Sequence, residues 1–257
     1  MIEKKILITR SVGGHLHAVH FLSRGEKSSE KNERYPFVIL CHGLTGDKYE
    51  WGRFTKTAKS LNEVGFDALI FDFSGSGENE RESITLSKQV KDLEDVYTWA
   101  KNKGYTKIAV IGLSFGGLTA LVAHLPGIKT YVFWAPGFYV KEEFFKMTAL
   151  QKTLEKGVLK LPSSGDYEPI MIDNSFLEAL ANYEVNSYLK KLLTPTLLIQ
   201  GTRDMVVKCN STKEAFKQLP QEDSHKLVEI EKATHNFDGV YLTKFIDVSI
   251  HWLKKYL

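Results

Sequence analysis

The chain is 257 residues long, 43% hydrophobic and 25% charged, the composition of an ordinary folded domain rather than a fibrous, disordered or disulfide-stapled one. Its 34 basic and 31 acidic residues are interspersed and leave a formal charge of +3, which offers no footprint for nucleic acid or an anionic membrane. No apolar run is long enough to span a bilayer, and no apolar stretch follows the opening Met-Ile-Glu-Lys-Lys, so neither a membrane span nor a signal peptide is expected, and the expected compartment is the cytoplasm.

Residues 4–10 and 15–22 read as an antiparallel strand pair around a Gly13-Gly14 turn, and the polar residues 24–34 as a surface loop. Phe37-Val38-Ile39-Leu40-Cys41 is continuously apolar, as a strand buried on both faces should be. Strand and helix then alternate. Residues 66–72 predict a strand, and residues 85–103 predict an amphipathic helix, with Leu86, Val90, Leu93, Val96 and Tyr97 at three- and four-residue spacing. A strand at 107–112, a helix at 115–125, strands at 128–134, 195–200 and 225–230, and a helix at 240–257 follow. This rhythm predicts an α/β fold, a mostly parallel central sheet with helices on both faces. Residues 137–193 far exceed the length of a crossover and are read as a small cap inserted into one domain spanning 1–257. Phe138, Tyr139, Phe144, Phe145, Met147, Tyr167, Met171, Ile172 and Phe176 are expected to divide between a core for this cap and an apolar lining over the site.

Chemistry concentrates where strands end. Gly112-Leu113-Ser114-Phe115-Gly116 joins an apolar strand to a helix. The pattern alone is weak, but in this context the glycines permit a sharp turn that lifts Ser114 off the sheet as a nucleophile, with a helix N-terminus beside it. A hydroxyl needs a base, and His235 lies between the last strand and the last helix, at the same carboxyl edge. The other histidines fall in less suitable places; His15, His17 and His20 alternate in an early strand and are expected to be exposed or half-buried. Asp204 directly follows the strand Thr-Leu-Leu-Ile-Gln and is the expected partner of the imidazole, in preference to Asp173 in the cap and Asp238 beside the histidine. Backbone N–H groups of Leu44, in His42-Gly43-Leu44-Thr45-Gly46, and of Phe115 are the expected donors to an oxyanion. His42 is assigned to holding that loop. Cys41, in a buried strand, lacks the setting of a reactive thiol, and it and Cys209 are read as unpaired. Asp72-Phe73-Ser74-Gly75-Ser76-Gly77-Glu78 lacks the spacing of a phosphate loop and reads as a tight turn at the sheet edge. No cluster has metal-ligand spacing, so no metal and no cofactor is expected.

With HGLTGD, FDFSGSGE, GLSFGG, GTRD and THNF in this order, residues 35–257 resemble the α/β-hydrolase carboxylesterases, and most of all their cinnamoyl (feruloyl) esterase and monoacylglycerol-lipase-like branch. The resemblance implies an α/β-hydrolase fold and a serine hydrolase that cleaves carboxylic esters through an acyl-enzyme without a cofactor. Cinnamoyl esterases often carry Phe after the HG of the first motif, where this chain has Leu44. The expected substrate is a small-molecule ester with an apolar or aromatic acyl group, and a homodimer is compatible with the reading. The alternatives are a peptidase or thioesterase with the same triad, and a non-catalytic binding protein on a hydrolase fold.

Overall fold

The computed structural model describes residues 2–23, 35–142 and 157–257. The loop expected at 24–34, and Phe144, Phe145 and Met147, lie outside the described residues.

An eight-stranded sheet forms the centre, in the order β1-β2-β4-β3-β5-β6-β9-β10. Strands β1 (Ile2–Thr9) and β2 (His15–Leu22) form the expected hairpin, with Thr9 opposite His15, and β2 runs antiparallel to β4 (Asp67–Phe71). From β4 onward, β3 (Phe37–Cys41), β5 (Ile108–Leu113), β6 (Thr130–Trp134), β9 (Thr196–Gly201) and β10 (His225–Ile230) are parallel. Their carboxyl ends therefore share one edge. The apolar runs are explained by burial on both faces. In β3, Phe37, Ile39 and Cys41 join one hydrophobic cluster, while Val38 and Leu40 join the other.

Helices cover each face with an apolar stripe. On one side lie α1 (Arg53–Glu63), through Phe54, Ala58 and Leu61, and the last helix, α7 (Val240–Tyr256), through Phe245, Ile246 and Leu253. On the other lie α2 (Leu86–Asn102) and α3 (Phe115–Ala123). Thr85 caps α2 by accepting the Lys88 N–H at 3.2 Å. Trp134 and Trp252 pin α7 to β6: their indole N–H groups donate to Ser249 at 2.9 Å and to Thr130 at 2.7 Å. The helix α6 (Cys209–Gln218) runs between β9 and β10.

Between β6 and β9 the described residues hold a short antiparallel ribbon, β7 (Leu159–Leu161) with β8 (Ile170–Ile172), and the helices α4 (Asn174–Ala181) and α5 (Val185–Lys191). Ile170, Ile172, Phe176, Leu180 and Leu189 are buried in the same cluster as β3 and β5. The ribbon is tied to the sheet edge: Ile84 N–H donates to the Met171 carbonyl at 2.8 Å, and Ser164 N–H donates to the Thr45 carbonyl at 2.8 Å.

His20 corrects an expectation. It is buried, with Nε2 2.9 Å from the Tyr105 hydroxyl, because β2 lies inside the sheet between β1 and β4 rather than on its margin.

Candidate active site

Ser114 stands at the junction of β5 and α3 with φ 52° and ψ −118°, a conformation that L-residues rarely adopt and that persists only where the surroundings enforce it. Here they do. Ser114 N–H donates to the Trp134 carbonyl at 2.9 Å, and its own carbonyl accepts from Gly137 N–H at 2.9 Å. The turn also needs its glycines: a Cβ on Gly112 would lie 2.7 Å from the Gly117 Cα, and one on Gly116 would collide with the Cys41 and His42 carbonyls.

Asp204 follows β9 and His235 follows β10, so the two neighbouring parallel strands deliver them side by side. His235 Nδ1 lies 2.7 Å from Asp204 Oδ2. The carboxylate is buried and held on both oxygens: Oδ1 accepts from the Val206 and Val207 N–H groups, each at 2.8 Å, and Oδ2 from Gln200 Nε2 at 3.1 Å. With Nδ1 donating to this acceptor, Nε2 is left as the basic nitrogen. His235 and Ser114 border the same cavity, of about 440 Å³, together with Leu44 and Phe115. The other two aspartates stand apart. Asp173 caps α4, accepting Ser175 N–H at 2.9 Å, and Asp238 is exposed.

The loop after β3 is built around its peptide planes. Phe73 N–H donates to His42 Nε2 at 3.0 Å, so the proton of this imidazole sits on Nδ1, which donates to the Gly43 carbonyl at 2.7 Å. Gly46 N–H donates to the same carbonyl at 3.1 Å. In a trans peptide the N–H points opposite to the C=O, so fixing the Gly43 carbonyl also fixes the direction of the Leu44 N–H. Neither the Leu44 nor the Phe115 N–H has a protein acceptor among the described residues. The loop lies against the serine, as a Cβ on Gly43 would stand 3.5 Å from Ser114 Cβ.

Glu50 and Arg53 also border the cavity, and reading the motifs did not find them. Glu50 Oε1 accepts the Gly43 N–H at 2.7 Å, and Arg53 reaches both Glu50 Oε2, at 2.6 Å, and the Asn236 carbonyl, at 2.8 Å. The available signal was an oppositely charged pair three residues apart, starting four residues after the last glycine of the HGLTG motif.

The remaining walls are mostly apolar, from Trp51, Leu113, Tyr139, Val140 and Val206. Of the aromatic and apolar residues expected over the site, only Tyr139 lines this cavity among the described ones. Phe138 and Phe176 are core residues, packed at 5.1 Å from Phe133 and 5.7 Å from Phe115. Both cysteines are free, and burial pushes the Cys41 thiol far up and the Cys209 thiol to about 11. Among the described residues, no group of three or more His, Cys, Asp and Glu could hold a metal, and no helix is long and apolar enough to cross a membrane.

The comparisons agree with this frame. A solved structure of Est1E from Butyrivibrio proteoclasticus, with ferulic acid bound, superposes at a TM-score of 0.81 with 22% identity over 98% of both chains. An uncharacterized 31.7 kDa protein of Escherichia coli, from the traX-finO intergenic region, is 23% identical over 89% of this chain and 93% of its own length. A carboxylesterase of Bacillus subtilis (strain 168) is 23% identical over 72% of this chain and 79% of its own. The profile described as Hydrolase_4, serine aminopeptidase, S33, matches residues 33–184, more than half of the chain. The protein has the α/β-hydrolase fold and belongs to this family of serine hydrolases.

Proposed function

We propose that the protein hydrolyses carboxylic esters through an acyl-enzyme on Ser114. His235 Nε2 takes the proton of the Ser114 hydroxyl as its oxygen attacks the ester carbonyl, and returns it to the departing alcohol. Asp204 holds the imidazole in one tautomer and stabilises its protonated form. The Leu44 and Phe115 N–H groups receive the oxyanion. Water, deprotonated by His235, then releases the acid and restores Ser114. The observation that carries this reading is the 2.7 Å Asp204–His235 hydrogen bond at the wall of the cavity that contains the strained Ser114.

The character of the cavity favours apolar or aromatic acyl groups over acetate. The ferulic acid bound to Est1E points in the same direction, and the name of the Bacillus relative supports an ester substrate. The family's aminopeptidase name suggests a second substrate class, but an aminopeptidase needs a free carboxylate for the substrate ammonium group. Among the described residues that line this cavity the one carboxylate, Glu50, is taken by Arg53. A panel of p-nitrophenyl esters from acetyl to octanoyl, hydroxycinnamate esters, acylglycerols and aminoacyl p-nitroanilides tests the proposal. The expected result is turnover of esters, with kcat/KM rising from acetyl toward larger apolar or aromatic acyl groups, and none of the anilides. Hydrolysis confined to the anilides would overturn it.

A further inference from the structure

We propose that Glu50 and Arg53 act as a positioning pair that sets the oxyanion-binding loop and links it to the histidine loop, an inference that rests on the ester-hydrolase reading above. The carboxylate of Glu50 is buried, with the residue 1% exposed, where a negative charge has little solvent to stabilise it. It is the hub of the loop. Its Oε1 takes the Gly43 N–H at 2.7 Å, and the chain wraps so closely around it that a Cβ on Gly46 would collide with it. Glu50 thereby fixes the peptide plane immediately before the one that aims the Leu44 N–H.

Glu50 borders the cavity in which the transition state would place a second negative charge. Unneutralised, it would oppose the oxyanion that the loop is shaped to receive. Arg53 removes that conflict, with Nη2 2.6 Å from Glu50 Oε2. It also donates from Nε to the Glu50 carbonyl at 3.1 Å and from Nη1 to the carbonyl of Asn236, the residue after His235, at 2.8 Å. One guanidinium thus spans the loops expected to bind the oxyanion and to carry the base. Glu50 and Trp51 both hold left-handed backbone, φ 48° and 53°, and the Arg53 guanidinium lies 4.9 Å from the Trp51 ring centre. Strain of this kind marks a segment whose geometry is enforced by its surroundings.

Because Arg53 neutralises Glu50, removing Arg53 alone should do more harm than removing both charges, which a purely structural role would not require. The test is steady-state hydrolysis of a short-chain p-nitrophenyl ester, with rates expressed per site titrated by a fluorophosphonate. Arg53→Met is expected to lower kcat by about 10²-fold, comparable to the loss of an oxyanion donor, while KM changes by less than about threefold. Adding Glu50→Gln, which keeps an acceptor for Gly43 N–H but removes the charge, should recover kcat at least about tenfold. Arg53→Met within about threefold of wild type, or a double variant no faster than Arg53→Met, would overturn the proposal. Should Arg53→Met not fold, Glu50→Gln and Glu50→Leu decide: Gln is expected to exceed Leu in kcat by at least about tenfold, and equal values would refute the role. A wild-type protein that neither labels nor turns over esters would sink the parent reading and this one together. A labelled, active wild type with an indifferent Arg53 sinks this one alone.

Discussion

Asp204 illustrates how single residues carry the account. Its two oxygens receive four hydrogen bonds, two of them from the backbone of its own loop, so the carboxylate has one orientation before His235 meets it. Replacing it with Asn would put an amide donor or a weaker acceptor against Nδ1 and favour the wrong tautomer. Asp204→Asn is therefore expected to cut kcat by about 10²–10⁴-fold at neutral pH, with the protein still folded. Asp173→Asn and Asp238→Asn should each cost less than about tenfold, since one caps a helix and the other faces solvent. Kinetics of the three variants on one activated ester check this; a crippled Asp238 or Asp173 variant beside an active Asp204→Asn would remove Asp204 from the acid's role. The placement of Ser114, Asp204 and His235 at one sheet edge was legible in the sequence because each follows a strand, and strands announce themselves by apolar runs. Glu50 and Arg53 were not, because a charged pair in Asp-Lys-Tyr-Glu-Trp-Gly-Arg looks solvated. Its burial follows from contacts with Gly43 and Asn236, and the second of these is 183 residues away.

At the scale of elements, the buried strands were readable as apolar runs and α2 from its three- and four-residue apolar spacing, and the helices expected at 115–125 and 240–257 match α3 and α7. The helices α1 and α6 were not readable, because small or polar groups fill much of their inward faces: Thr57, Ala58 and Asn62 in the first, Thr212 and Ala215 in the second. The ribbon β7–β8 is too short for any pattern, and its strands form by pairing with each other and against Ser83. The start of β10 yields a pH prediction. His225 is buried, and neither ring nitrogen has a hydrogen-bond partner among the described residues. Burial lowers its basicity below the ordinary value of 6.5, with the Glu222 charge working the other way. A histidine kept neutral by the fold contributes stability above pH 6.5, and that contribution is lost as the pH falls below it, because the unfolded chain takes up the proton more readily. The urea midpoint of His225→Val is expected to fall less between pH 7.5 and 5.5 than that of the wild type. An equal or steeper fall for the variant would contradict the assignment.

For the whole molecule, a buried charged cluster outside the site lies beneath the Asp72–Glu78 turn. Lys48 is buried, with Nζ 2.5 Å from Asp72 Oδ2 and 2.9 Å from Glu78 Oε1. Burial alone would make its ammonium less basic, but the Asp72 and Glu78 carboxylates outweigh that and hold it above its ordinary value. The turn wraps Asp72 closely, since a Cβ on Gly77 would collide with its carboxylate, and the Glu78 N–H donates to it at 3.0 Å. This cluster sits where the HGLTG loop, the turn after β4 and the 157–172 segment meet: the Ser164 hydroxyl donates to Asp47, and Lys48 lies 5.8 Å from the Tyr167 ring. Lys48→Met would leave the buried Asp72 uncompensated and is expected to cost about 3–5 kcal/mol in urea unfolding. A loss below about 1 kcal/mol would mean that the cluster contributes little to the fold.

The central claim is that Ser114 becomes acylated during turnover. The direct measurement is intact and peptide mass spectrometry of the protein quenched in acid within its first turnovers of a p-nitrophenyl ester. The account predicts a mass increase equal to one acyl group, located on the peptide that contains Ser114, and none in Ser114→Ala, which folds and loses about 10⁴-fold or more in ester turnover. An acyl group on another residue, or a folded Ser114→Ala variant that keeps more than about a tenth of the wild-type rate, would contradict it.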